Sequence, residues 1–180
     1  MLNSKSSTGV RIMKAILRSI KPYWLYLILI GKKTVEVGKT RPKSDEWSGF
    51  VYLYCSQDAK SFRRIPAKDQ EWMRKYLGKV VCAFACGEIQ KGVASVMSHC
   101  DSVSIGSEET CLSIDEIFAY LDIGVVRTVG AQAEFFAWRI SDLVVYEKPK
   151  ELYQFSKVGF GRVIPLKRPP QSWMYVEEIA

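Results

Sequence analysis

"KAILRSIKPYWLYLILIGKKTVEV", residues Lys14 to Val37, changes its hydrophobic period twice, and the order of those changes decides the fold. "KAILRSI" alternates apolar and polar residues, the pattern of a β-strand with successive side chains on opposite faces. Pro22 then suits the first turn of a helix, where its missing N–H costs nothing, and Gly31 suits the stop. Between them the chain is apolar nearly all round, so the helix is expected to be buried, closing one end of a barrel. "KTVEV" returns to β structure, with Val35 and Val37 on one face and Thr34 and Glu36 on the other. The valines are expected to pack inward while Glu36 faces a cleft. Taken alone, "GKKTVE", Gly31 to Glu36, leaves open whether it is a solvated turn or the floor of a pocket.

Outward from this stretch, short strands and helices alternate. "GKTRPKSDEWSG" is expected as a loop, and "FVYLYCS" (Phe50 to Ser56) as a strand. Pro66 to Leu77 reads as a surface helix stopped by Gly78, and "KVVCAFACGEI" (Lys79 to Ile89) as one long central strand. Ser113 and Glu116 form a capping box on a short helix. Ala133 to Glu147 supplies one strand, or two with a bend; "PKEL" turns, and "RPPQSWMYVEE" closes the chain. No repeat and no linker interrupts it. The expected architecture is α+β, a small mixed β-barrel with helices closing its ends. Residues 1–12 are expected to be a disordered leader, with Met13 an alternative start, and 13–180 one domain carrying an acidic insertion around 92–132.

With 180 residues, 48% of them hydrophobic, the chain is long enough to bury a core without disulfide or metal staples. Tyr23 to Ile30 is far shorter than the roughly 20 residues that span a bilayer. The polar start carries no secretory signature, so a cytoplasmic protein is expected. Five cysteines, Cys55, Cys82, Cys86, Cys100 and Cys111, fall at irregular spacing and are expected to be reduced thiols. With His99 the one histidine and no CxxC pair, no metal or other cofactor is expected. In one strand the Cα atoms of Cys82 and Cys86 would lie roughly 13 Å apart, too far to share an ion.

The net charge of +7 is unevenly spread. Met1 to Lys79 holds 17 basic and 6 acidic residues, whereas Val80 to Ala180 holds 9 and 13. Such asymmetry favours a polyanion, nucleic acid first, and without a basic amphipathic helix it does not favour a membrane surface.

The blocks "SIKP", "GKKTVE", "VYLYC", "GKVVCAFACGEI", "TCLSIDEI", "FFAWRISDLVVYEKPKEL" and "RPPQSWMYVEE", in that order, resemble the ASCH domain of the PUA-like β-barrel superfamily, and most closely its phage- and prophage-borne bacterial branch. The resemblance runs from about Lys14 to Glu178. The family signature Gly-x-Lys-x-x-Glu-x-Arg is matched by Gly31, Lys33 and Glu36, but its arginine position is Gly38. Lys39 or Arg41 replaces the charge there without the planar fork that grips phosphate.

The resemblance implies an RNA- or nucleotide-binding module, with a single-stranded or flipped base in the cleft beside a basic loop of Lys32, Lys39, Arg41 and Lys43. Ser19 and Lys21 would line the same cleft, with Trp138 and Trp173 as candidate stacking walls. The alternative it implies is a small, metal-independent amidohydrolase acting on N4-acetylcytidine-type nucleosides, or a ribonuclease. Lys33, Glu36 and Glu88 are then the catalytic candidates, with Glu36 at the family's threonine position and Thr34 a substitute hydroxyl. Strand parity groups Glu88 with Cys82, Phe84 and Cys86, among apolar neighbours, and makes Lys33 its candidate partner. A phage-encoded regulator acting through a protein partner on the acidic stretch Asp101 to Asp122 is the further alternative. The oligomeric state is left open.

Overall fold

The computed structural model describes residues 14–43, 47–97, 101–105, 107–121, 129–158 and 163–178. The expected leader, Met13, His99, Cys100 and residues 122–128 of the acidic stretch lie outside the described residues.

Among the described residues, ten strands form two sheets. In chain order the strands are β1 (Lys14–Ile20), β2 (Val35–Gly38), β3 (Trp47–Cys55), β4 (Val80–Ala85), β5 (Ile89–Ser95), β6 (Ser102–Val103), β7 (Gln132–Arg139), β8 (Ser141–Lys150), β9 (Phe155–Lys157) and β10 (Trp173–Glu178). The helices are α1 (Pro22–Leu29), α2 (Ala59–Phe62), α3 (Ala67–Arg74), α4 (Ser107–Thr110) and α5 (Ile114–Leu121). The larger sheet has the order β8-β4-β3-β1-β10-β9 and the smaller β2-β7-β5-β6. This is the expected α+β architecture, a small mixed barrel with helices beside its sheets.

β1 and β3 run parallel, so the chain must cross over between them. The crossover is α1 followed by β2, which puts the apolar helix over the sheet and delivers "TVEV" to the other sheet. Pro22 opens α1 and Gly31, at φ 74, ends it. Leu25 and Ile28 of the helix pack with Ile16 and Ile20 of β1 in the principal core. Leu17, on the opposite face of β1, packs with Phe155 and Val176, so β1 is covered on both sides. A third cluster joins Val35 and Val37 to Phe135 and Ala137 of β7 and to Leu112 and Ile117, so the valine parity of β2 holds. The described residues between 92 and 121 supply part of β5, β6, α4 and α5, and Ala94, Ile105, Leu112 and Ile117 pack in this third cluster. The cap of α5 is the expected reciprocal one: Glu116 N–H donates to Ser113 Oγ at 3.2 Å and Ser113 N–H to Glu116 Oε2 at 3.0 Å.

One expectation about the strands is corrected. Lys79 to Ile89 is not a single strand: β4 ends at Ala85, and β5 begins at Ile89 in the other sheet. Cys86 N–H still bonds Gly49 O at 2.7 Å, but Gly87 and Glu88 then turn the chain out of the first sheet. Ala133 to Glu147 is two strands, β7 and β8, meeting at Ile140 and lying in different sheets. β3 starts at Trp47, inside the expected loop, and α3 is shorter than Pro66 to Leu77.

Candidate functional site

The turn after α1 aims a lysine inward. The N–H groups of Lys32 and Lys33 both donate to Leu27 O, at 2.9 and 3.0 Å, which folds "GKK" back onto the last turn of the helix. Lys33 is thereby driven between α1 and β2, where its side chain is fully buried. Its Nζ donates to Thr110 O at 2.5 Å, lies 3.4 Å from Glu36 Oε2 and sits 5.6 Å from the centre of the Trp24 ring. Burial holds the Lys33 ammonium below its ordinary pKa, an effect that the neighbouring Glu36 carboxylate opposes.

Glu36 is held from its other side by Arg18. Along β1, Arg18 has the parity of Ile16 and Ile20, so its side chain enters the space between the sheets and is 1% exposed. Its Nη2 donates to Glu36 Oε1 at 3.1 Å and to Val37 O at 2.5 Å, and its Nε approaches Oε1 at 3.4 Å. One carboxylate thus lies between two buried cations, one on each oxygen. Arg18 Nη2 also reaches Tyr120 Oη at 3.4 Å, and burial keeps that phenol protonated by raising its pKa. With all three groups ionised, Arg18, Glu36 and Lys33 carry one net positive charge.

Lys33 and Glu36 face a cleft of about 620 Å³ whose walls come from the end of β1, α1, α2, α5 and the segment Pro169 to Ser172. Ser19 fastens that segment: its Oγ donates to Pro170 O at 2.6 Å and its N–H to Ser172 O at 2.9 Å. Lys21 stands at the rim, well exposed, with Nζ 3.7 Å from Asp58. Lys60 and Arg64 complete the cationic rim; Arg64 pairs with Glu116 at 2.8 Å and lies 4.1 Å from the centre of the Tyr23 ring and 4.8 Å from that of Trp24. Trp24 and Tyr120 are the aromatic side chains of the cleft.

The sequence candidates divide accordingly. Ser19, Lys21, Lys33 and Glu36 come together around the cleft. Lys32, Lys39, Arg41 and Lys43 are not among its lining residues; Lys39 lies 5.8 Å from the centre of the Tyr120 ring and Arg41 5.5 Å from that of Phe136. Trp138 is fully buried in the core between Trp47 and Trp173 and forms no wall of the cleft. Trp173 Nε1 donates to Thr40 Oγ1 at 2.9 Å. Thr34 is exposed and outside the cleft.

Glu88 is a correction. The turn after β4 breaks the parity on which its burial rested, and it is exposed, accepting from Gln90 Nε2 at 3.2 Å. The carboxylate that partners Lys33 is Glu36, three residues away.

Two contributors were missed in the sequence. Arg18 is one, and its signal was an arginine at a strand position flanked, at two-residue spacing, by Ile16 and Ile20. The other is the cationic rim on α2, which is too short to show a period. Among the described residues no three His, Cys, Asp or Glu side chains are grouped to hold a metal ion, and no helix is long and apolar enough to cross a membrane.

No protein-family model matches the sequence, and no curated protein matches it. Solved structures do. The ASCH protein of Zymomonas mobilis is 19% identical, the match covering 91% of this chain and 88% of that one, with a TM-score of 0.54. A serine-to-alanine mutant of the Zymomonas mobilis protein is 16% identical over 91% of this chain and 89% of that one, with a TM-score of 0.53. Over nearly its whole length, then, this chain has the fold of the ASCH proteins.

Proposed function

We propose that this protein binds single-stranded RNA in the cytoplasm, taking one nucleotide into the cleft between α1, α5 and the Pro169–Ser172 segment. The observation that carries this reading is the buried Arg18–Glu36–Lys33 cluster at the base of an open cleft, where two cations share one carboxylate. A surplus of positive charge in a desolvated place favours an anionic or strongly polar ligand. About 620 Å³ lies within the range of small-ligand sites, and Trp24 and Tyr120 offer ring faces to a base. The basic first half of the chain supports the same partner, and the sequence blocks point to the phage-borne branch as its setting.

The test is titration of a short labelled RNA, followed by anisotropy, at two salt concentrations. Binding that weakens steeply with salt and is lost in Lys33→Ala supports the reading. Saturation that is indifferent to salt, or no binding at either concentration, overturns it.

A second reading, hydrolysis of an N4-acetylcytidine-type amide, draws support from one observation. Lys33 is held below its ordinary pKa beside a carboxylate in a cleft, the pattern of a catalytic pair. Because Glu36 occupies the family's threonine position, water would attack the acetyl carbon, Glu36 taking its proton and passing it to N4 as the C–N bond breaks, while Lys33 would stabilise the oxyanion. Incubation with N4-acetylcytidine, read by chromatography for cytidine and acetate, decides it. Release by the wild type and not by Lys33→Ala establishes the reaction; intact substrate at high enzyme concentration removes it. Strand scission of labelled RNA in parallel samples is the corresponding test of ribonuclease activity.

A further inference from the structure

A second concavity, of about 410 Å³, lies across α2 from the cleft, and Asp58 lines both. Arg63 and Arg74 line the second; Lys60 and Arg64 line the first. The short helix and its exit turn therefore form a saddle with cations on both slopes. Among the described residues, Lys60, Arg63 and Arg74 have no ion-pair partner. The one carboxylate common to both concavities is already engaged, since Asp58 accepts from Ser61 N–H at 2.7 Å and lies 3.7 Å from Lys21. The Arg74 guanidinium lies 5.5 Å from the centre of the buried Phe62 ring, an apolar surface that positions it without neutralising it.

Unpaired cations on two adjoining hollows fit a ligand with anionic groups at successive positions, and guanidinium forks match phosphate oxygens. We propose that a single-stranded RNA with one nucleotide in the cleft continues over α2 and sets the next phosphates against Arg63 and Arg74. The inference rests on the RNA reading above and adds to it a direction for the strand and a second contact surface.

The experiment compares a mononucleotide with a short single-stranded oligonucleotide, each titrated against wild type, Arg63→Gln/Arg74→Gln and Lys33→Ala. Glutamine keeps the stems that cover Phe62 while removing the charge, and thermal melts check the fold. The double variant is expected to bind the oligonucleotide about tenfold or more weakly, through loss of charge-assisted contacts. Its log K against log salt should be shallower by about 1.4, at about 0.7 per phosphate of a single strand. The mononucleotide, too short to cross α2, keeps its affinity in the double variant and loses it in Lys33→Ala. Neutralising Lys91 and Lys148, on β5 and β8, should alter the oligonucleotide slope less. If the double variant binds the oligonucleotide with wild-type affinity and slope, the track over α2 is wrong while the cleft reading stands. An equal effect from Lys91 and Lys148 also overturns the track, because the contribution would then be diffuse. If wild type binds neither ligand, the cleft reading falls and the track falls with it.

Discussion

Replacing Glu36 with glutamine keeps the side-chain shape and removes the one negative charge between Arg18 and Lys33. Both cations are at most 2% exposed, so neither gains water to replace what it loses. Removing one partner of a buried ion pair costs about 3–5 kcal/mol. Lys33 limits its own share, because burial already lowers its pKa and removing the carboxylate takes away the effect that opposes this, so giving up the proton becomes easier. Arg18 has no such release, since a guanidinium stays charged. The expected loss for Glu36→Gln is therefore about 3–5 kcal/mol, or roughly 6–20 °C in Tm at about 2–4 °C per kcal/mol for a chain of this size. Lys33→Met is expected to cost far less. It leaves Arg18 and Glu36 as a neutral pair and removes the costly buried ammonium. It also strips Thr110 O of its donor, at about 1–3 kcal/mol. These effects nearly cancel, so the net change should stay within about 2 kcal/mol. The lysine leaves a second trace. Its pKa is below the unfolded value, so between the two the unfolded chain holds more protons and the Lys33 contribution to stability rises with pH. Lys33→Met lacks that rise. Urea unfolding of wild type and both variants at neutral pH and near pH 10 measures all of this. A loss below about 1 kcal/mol in Glu36→Gln, or equal losses in the two variants, would refute the shared-carboxylate argument.

Gly92→Ala should destabilise by about 1–3 kcal/mol or more through overpacking, because its Cβ would lie 2.4 Å from Cζ of the fully buried Phe135 opposite it on β7. An unchanged urea midpoint would mean that Phe135 has room to move. Burial raises the thiols of Cys55 and Cys82 to about 12 and that of Cys86 to about 11, from an ordinary 9.0. Their contribution is therefore complete below pH 9 and lost progressively as pH rises to 11–12, where Cys82→Ala should unfold with a shallower pH dependence than wild type. In the native protein at pH 8, iodoacetamide followed by peptide mass spectrometry should label the half-buried Cys111 well before Cys55, Cys82 or Cys86. Equal labelling would contradict their burial.

Much of the scaffold was legible because local chemistry and tertiary role agree. Pro22 and Gly31 bound α1, the valine parity of β2 matches its core face, and Ser113 and Glu116 cap α5 as their spacing implies. What failed depends on events distant in sequence. The apolar run Val80 to Cys86 continues up to the point where the chain leaves one sheet for the other, and Gly87 is the single local mark of the break that exposes Glu88. Arg18 occurs in a strand that looks half-polar, and only α1 on one side and Phe155 and Val176 on the other cover both faces. The basic loop drew attention by composition, whereas the cations lining the cleft are Lys21 after β1, Lys33 after α1, Lys60 on α2 and Arg64 in the turn that follows.

The glycine at the signature's arginine position now has a physical account. A Cβ at Gly38 would lie 2.7 Å from Nε1 of the buried Trp138 and 3.2 Å from Arg18 Nη1, so a side chain there would have to displace the Trp138 ring and would crowd Arg18. The chain thus keeps a guanidinium against Glu36 but brings it from β1, in the other sheet, rather than from β2. Its Nη2 is engaged within the protein, by Glu36 and Val37 O, and Arg18 itself does not line the cleft. A guanidinium so engaged orients the carboxylate instead of gripping a ligand, and it ties β1 to β2 across the gap between the sheets. Lys33 is left as the buried cation that faces the cleft. On the RNA reading proposed above, the exposed Lys60 and Arg63, which have no ion-pair partner among the described residues, are the cations of α2 and its exit turn left to meet phosphate.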